Sequence, residues 1–247
     1  MIGPASIRLD KLLTGMGYGS RRRVQMLARG GRIMLDGAPV READGKVSLT
    51  GDLVTRLVVD GGRLDPLPGL VLMLNKPVGV TCSHKDAGPL VYALLPERWR
   101  ARDPAISAVG RLDKDTSGLL LMTDDGALLH RIISPKRRIE KRYRAVLDRP
   151  LQGGEAAIFA SGELMLKGES APLLPARLEA VGEREAIVSV VEGRYHQVRR
   201  MFAATGNHVT ALSRLSIGGL ALPADLPPGG FTLLDEPQKA AIFSQAG

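Results

Sequence analysis

One cysteine, Cys82, in 247 residues excludes an intrachain disulfide and leaves no thiolate cluster for a structural zinc. His196 and His208 lack acid or thiol partners at ligand spacing, so no metal site is expected. Aromatics are scarce too, with four Phe, four Tyr and one Trp, which excludes an extended platform for stacking successive bases. No apolar run approaches the roughly 18 residues of a membrane span. The opening MIGPASIRLDKLL has no cationic stretch followed by a long apolar core. The expectation is a cytoplasmic chain that does not engage membranes. No GxxxxGK[ST] loop occurs, and Asn75-Lys76-Pro77-Val78 is not a guanine-binding NKxD, which sets a nucleotide hydrolase aside.

Positive charge is abundant. Lys and Arg number 34 against 26 acidic residues, a formal net charge of +8, and basic surface gains binding free energy by releasing counterions from a polyanion. The length suits two domains. In the first, Leu9, Leu12, Leu13 and Met16 recur at helical spacing, Gly17-Tyr18-Gly19 ends that helix, and Ser20 caps a second. Val24, Leu27 and Ala28 form the buried stripe of the second helix, with Arg21, Arg22, Arg23 and Arg29 outside it. Gly30-Gly31 stops it, Arg32 to Leu35 reads as a strand, and Asp36-Gly37 as a turn. A further pairing is expected between Val47-Ser48-Leu49 and Val54-Thr55-Arg56.

The order RLDKLLxxxGxxSR, then GGRIMLDGxxV, then a valine-rich strand resembles the S4 RNA-binding domain. That resemblance implies RNA contacts at Arg8, Lys11, Ser20, Arg21 and Arg22, with Arg32 flanking the strand. The domain is expected over residues 1–60. A Gly/Pro-rich linker over 61–69 follows, then a second domain over 70–247. In that domain, strands are expected at Val71 to Asn75, Leu119 to Met122, Lys141 to Leu147, Ala186 to Val191, Val209 to Leu212 and Phe231 to Leu234. Asp124-Asp125 is expected to cap a helix from Gly126 to Ile133, and Tyr195 to Thr205 reads as another. Without βαβ regularity, an α+β fold with a mixed, mainly antiparallel sheet is expected.

Gly110-Arg111-Leu112-Asp113-Lys114-Asp115-Thr116-Ser117-Gly118 sets a carboxylate between two cations in a tight loop that runs into an apolar strand. On its residues alone this is either a solvated turn or a rigidly presented ionised carboxylate. With the strand that follows, GRLDKDTSGLLLMTDDG resembles the catalytic motif of the RsuA, RluB, RluE and RluF class of ribosomal RNA pseudouridine synthases. Membership implies isomerisation of uridine without a cofactor, by breaking the N1 glycosidic bond and rejoining the base through C5. It also implies that Asp113 is the nucleophile and that Arg111 fills the helix vacated by a flipped base or supports the charge of Asp113.

Glu140-Lys141-Arg142-Tyr143-Arg144 resembles the class's KxY element, which implies that Tyr143 lies against the base as a candidate for C5 proton removal. Gly193-Arg194-Tyr195-His196-Gln197-Val198-Arg199-Arg200 resembles its third element, which implies an ion pair between Arg199 and Asp113. Arg200 is expected to face RNA or solvent. In the LNKPxG element Lys76 is expected to meet phosphate, and Arg137, Arg138 and Lys141 belong to a basic stretch around Ser134-Pro135 expected to track the RNA backbone.

YHQVRRMFAATGNHV is closer to the small-subunit members of the class than to the large-subunit members, whose element tends to read NREVRRMF. Uridine 516 of 16S rRNA, in a partly assembled small subunit, is therefore the expected target of a monomeric enzyme. A 23S rRNA uridine is the alternative. A noncatalytic S4-type assembly factor is another, though it would have no chemical reason to keep Asp113, Tyr143 and Arg199 together. A glycoside hydrolase using Asp113 with Asp115 or Asp124 is a third, and it leaves the S4 pattern unexplained.

Overall fold

The structure, a computed structural model, describes residues 5–83, 86 and 88–245. The first four residues, which begin the segment considered above as a leader, lie outside the described residues. The chain divides into two compact units: Met1–Leu70 with Leu95–Ser107 and Thr123–Asp125, and Val71–Leu94 with Ala108–Met122 and Gly126–Gly247.

The first unit contains β1 (Ser6–Arg8), α1 (Leu9–Gly15), α2 (Arg21–Arg29), β2 (Ile33–Leu35), β3 (Ala38–Pro39), β4 (Lys46–Ser48), α3 (Leu53–Arg56), β5 (Leu57–Val59), β6 (Gly62–Arg63) and α4 (Glu97–Arg100). Leu9, Leu12 and Leu13 of α1 and Val24, Leu27 and Ala28 of α2 are buried, as their spacing predicts. Gly17 has φ +86°, and a Cβ there would lie 2.3 Å from the Arg98 carbonyl oxygen, so only glycine fits the exit from α1. The four-stranded sheet runs β3-β2-β5-β6, with β1 and β4 paired separately.

The expected pairing of 47–49 with 54–56 does not form. Val47 pairs instead with Ile7 across β1 and β4. Beyond Gly51 the chain curls into the single turn of α3, where the Thr55 amide donates to the Asp52 carbonyl at 3.0 Å and Arg56 holds Asp36 at 2.7 Å and Asp52 at 3.1 Å. Burial of Leu53 and these contacts override the strand preference of Val54-Thr55, and the strand shifts to β5, antiparallel to β2.

Residues 61–69, expected as a linker, are packed into this unit. Leu64 is buried, the Asp65 amide donates to the Tyr18 hydroxyl at 3.0 Å, and Arg102 donates to the Pro66 carbonyl at 2.5 Å. The buried Asp124 carboxylate lies 3.5 Å from Arg102 and accepts the Gly69 amide at 2.8 Å. Burial raises the pKa of Asp124, and the charge of Arg102 works against that rise. Asp124 is thus a structural acid inside the first unit, which removes it as a partner for Asp113 in a hydrolase site.

The second unit is built on β7 (Val71–Lys76), β8 (Ser107–Ala108), β9 (Thr116–Thr123), β10 (Lys141–Leu147), β11 (Arg177–Gly182), β12 (Glu185–Val190), β13 (Val209–Ile217), β14 (Leu220–Ala221) and β15 (Phe231–Leu233). Its helices are α5 (Gly126–Ile133), α6 (Glu155–Ala160), α7 (Gln197–Ala204) and α8 (Glu236–Ala241). The sheet runs β11-β12-β10-β13-β9-β7-β15, with β14 attached to β13 and β8 to β9. β13 runs parallel to β9, whereas β10/β12, β10/β13, β11/β12 and β15/β7 are antiparallel, the mixed and mainly antiparallel arrangement expected.

Two apolar clusters stiffen it. One gathers Ala145, Val188, Met201, Phe202 and Phe159, and the other Val71, Met73, Leu119, Leu121, Ile132 and Ile217. β13 runs five residues past the expected Leu212 and so carries Arg214 into the sheet. α7 starts at Gln197, two residues later than expected, because His196 before it takes the left-handed φ of +50°.

Candidate active site

Asp113 sits on the loop between β8 and β9, and the carbonyls of that loop are gripped from several directions. The Lys76 ammonium, fully buried, donates to the carbonyls of Pro77 and Thr116 at 2.8 Å each and of Lys114 at 3.3 Å. The Gly79 amide takes the Lys114 carbonyl as well, at 2.8 Å. Arg199 donates to the Asp115 carbonyl and to the Val209 carbonyl, both at 2.9 Å. Where the loop enters β9, Gly118 has φ +99°, and a Cβ there would stand 2.3 Å from the Arg214 carbonyl oxygen. The GRLD…SG spacing therefore serves a close parallel approach of β9 to β13 as well as chemistry.

The Asp113 side chain is one-third exposed and faces a cleft of about 510 Å³, within the range of small-molecule sites. Thr116, Tyr143, Val190 and Leu212 line its interior, and Arg111, Tyr195 and His196 also contribute to its wall. Tyr143 projects from β10, in register with Val188 of β12 and Arg214 of β13. Arg214 is 3% exposed, an unusual burial for a charged residue. It donates to the Leu119 carbonyl at 2.7 Å and reaches the Tyr143 hydroxyl at 3.4 Å. Sequence reasoning missed Arg214, and its one signal was an arginine within the alternating run Val209 to Ile217.

Several expected roles change. Arg199 forms no ion pair with Asp113. Its guanidinium is occupied by two backbone carbonyls, so it fixes the loop rather than the carboxylate. The basic side chain paired with that carboxylate is His196, whose Nε2 lies 3.5 Å from Oδ1. Lys76, expected to meet phosphate, has no exposed surface with which to do so. Arg200 is bound to Glu169 at 2.7 Å and to the carbonyls of Lys167 and Tyr195. Lys141 turns its ammonium to the Ile139 carbonyl at 3.0 Å. The Ser20 hydroxyl accepts the Arg23 amide as the cap of α2. Arg8 pairs with Asp10 at 2.8 Å, and Arg32 with Asp60. Lys11, Arg21, Arg22, Arg111, Arg137 and Arg138 remain exposed.

Burial pushes the Lys141 ammonium down to about 8, with repulsion from Arg214 adding to the effect. Below pH 8 the lysine is charged in both folded and unfolded chains. Between 8 and its ordinary 10.5 only the unfolded chain holds the proton, so stability rises with pH across that window. Urea denaturation should show a gain of about 2 kcal/mol between pH 7.5 and 9.5, absent in Lys141→Met. An equal gain in both proteins would refute this.

Comparison with known proteins gives the same picture. Residues 70–204 match the RNA pseudouridylate synthase family and residues 7–54 the S4 domain. The ribosomal small subunit pseudouridine synthase A of Escherichia coli (strain K12) is 41% identical over 240 residues, covering 96% of this chain and 100% of that protein. Its counterpart in Vibrio cholerae (strain El Tor Inaba N16961) is 38% identical over 238 residues, with 96% and 100% covered. A crystal structure of a pseudouridylate synthase superposes with a TM-score of 0.67 at 34% identity, covering 96% of this chain and 99% of that one. With Asp113 and Tyr143 facing one cleft and similarity running the length of the chain, this protein belongs to the RNA pseudouridylate synthases, in the class that carries an S4 domain.

Proposed function

We propose that this enzyme isomerises a uridine of 16S rRNA, uridine 516, in a partly assembled small subunit. The observation that carries the substrate is the identity of 41% spread over the whole of the E. coli small-subunit synthase, S4 domain included. The observation that carries the chemistry is the single cleft holding both Asp113 and Tyr143.

The target uridine leaves its stack and enters the cleft, since neither face of a stacked base is open to a nucleophile or base. Asp113 acts as nucleophile, the N1–C1′ bond breaks, the uracil turns, and C5 bonds to C1′ as the bond to Asp113 breaks and its carboxylate is released. Tyr143 takes the C5 proton and N1 regains one, so the product is an isomer. Arg214 holds the Tyr143 hydroxyl from behind, and the apolar walls at Val190 and Leu212 keep the loosened base dry. Arg111, exposed at the wall of the cleft, fills the vacated position in the RNA. Arg21 and Arg22 on α2 and Arg137 and Arg138 after α5 hold the phosphates. The enzyme works as a monomer.

Carbodiimide-dependent primer extension on rRNA from a strain lacking this gene tests both target and activity. The stop at position 516 of 16S rRNA should vanish and return with the intact gene. Disappearance of a stop from 23S rRNA instead would transfer the substrate to the large subunit. An unchanged pattern in both would refute the reading.

A further inference from the structure

Tyr195 is 71% exposed and is the one aromatic among the exposed large hydrophobic side chains of the described residues. Its ring lies flat on His196, with centroids 3.8 Å apart and planes at 17°. The pair forms part of the wall of the Asp113 cleft and also of a smaller neighbouring cleft of about 180 Å³ that includes Thr81, Cys82 and Lys114. An exposed ring is free to sweep its rotamers, yet everything beneath this one is fixed. The Tyr195 carbonyl accepts from Arg200 at 3.1 Å, and the Arg194 guanidinium is tied to Glu192, Glu169 and the carbonyls of Ala171 and Pro172. His196 is held at φ +50° as the cap residue of α7. A rigid loop thus presents one aromatic face to solvent where two clefts meet beside the nucleophile.

We propose that Tyr195, backed by His196, is the stacking platform for one nucleobase adjacent to the target uridine. Extruding a nucleotide loosens its neighbours from the stack, and with Arg111 in the vacated position a flat ring at the cleft wall offers one neighbouring base a new face to stack on. Stacking needs the π face and not the hydroxyl, which carries no hydrogen bond to any described residue. The assignment deepens the proposed function, because it rests on RNA entering the Asp113 cleft.

Steady-state kinetics and fluorescence anisotropy on a 16S rRNA fragment spanning position 516 test it, with full-length wild type, Tyr195→Ala and Tyr195→Phe. Tyr195→Ala should raise KM and Kd about tenfold, an effect of the size seen when a base-stacking aromatic is removed, with the loss falling on KM rather than kcat. Tyr195→Phe should restore both. An abasic nucleotide at one position flanking the target should weaken wild type to the level of Tyr195→Ala and leave Tyr195→Ala no weaker. Equal affinity of wild type and Tyr195→Ala would overturn the platform, and so would the absence of any flanking position that abolishes their difference. Anisotropy reads the stack whether or not the fragment is isomerised. Binding without isomerisation by wild type would therefore count against the substrate assignment and not against the platform.

Discussion

Asp113→Asn should abolish pseudouridine formation, lowering kcat by at least about 10⁴-fold, while Kd for the rRNA fragment stays within about threefold. The amide is nearly isosteric with the carboxylate but is no nucleophile. The contacts that shape the loop are made by its backbone: the Asp113 carbonyl accepts the Thr116 amide at 3.0 Å, and Lys76 and Arg199 grip the carbonyls of Lys114, Asp115 and Thr116 that follow it. Removing the charge therefore leaves the cleft in place. Phosphate contacts on α2 and after α5, which hold the substrate in the proposed function, are untouched, so binding persists as chemistry stops. Mapping pseudouridine in a deletion strain carrying Asp113→Asn reads this directly, and a restored stop at the target would mean another group is the nucleophile.

The second large effect is expected at Lys76, and it separates a phosphate ligand from a structural clamp. Lys76→Met preserves the bulk of the side chain and removes an ammonium that donates to the Lys114 and Thr116 carbonyls beside Asp113 and to the carbonyl of Pro77. The Lys114 carbonyl keeps the Gly79 amide, so two carbonyls lose their donor; at about 1 kcal/mol or more each, stability should fall by roughly 2 kcal/mol and Tm by roughly 4–8 °C. Burial also lowers the pKa of the Lys76 ammonium, with Asp113 and Asp115 among the charges that oppose the shift. Released from its clamp, the loop samples positions in which Asp113 no longer faces the cleft. Displacement of that scale should lower kcat by about 100-fold. The salt dependence of RNA binding decides between the roles. Removal of a phosphate ligand would reduce the slope of log K against log salt by about one, whereas the clamp predicts an unchanged slope.

Lys76 also shows why the site is only partly legible in the chain. LNKPxG marks a lysine beside the Asp113 loop, and a basic residue in an RNA enzyme reads naturally as a phosphate ligand. Burial of that lysine follows from the meeting of β7 with a loop some 40 positions later, with the Thr116 carbonyl as its deepest partner. Arg199 repeats the pattern. The motif places a guanidinium near Asp113, yet only the folded α7 and β13 show that it binds the Val209 and Asp115 carbonyls. Arg214 escapes notice because its role depends on register. β13 lies between β10 and β9, which brings one of its side chains under Tyr143 and another of its backbone groups against Gly118.

Local patterns are legible where neighbours in the chain are also neighbours in space. The apolar stripes of α1 and α2, the Ser20 cap and most strands of the second unit follow from periodicity and turn chemistry within about ten residues. The stretch 47–56 fails for the opposite reason. Its strand preference is real, but the partner for Val47 is Ile7, and Leu53 is buried by a helical turn.

From the amino-acid order alone one obtains the family, the α+β class, the Asp113 loop and the basic character of the molecule, since these reside in short motifs and in composition. The fate of each cation cannot be had that way. Whether Lys76, Arg199, Arg200 or Arg214 meets solvent or a buried carbonyl depends on contacts across tens of residues, and the high cost of an unsatisfied polar group in the interior then fixes the partner.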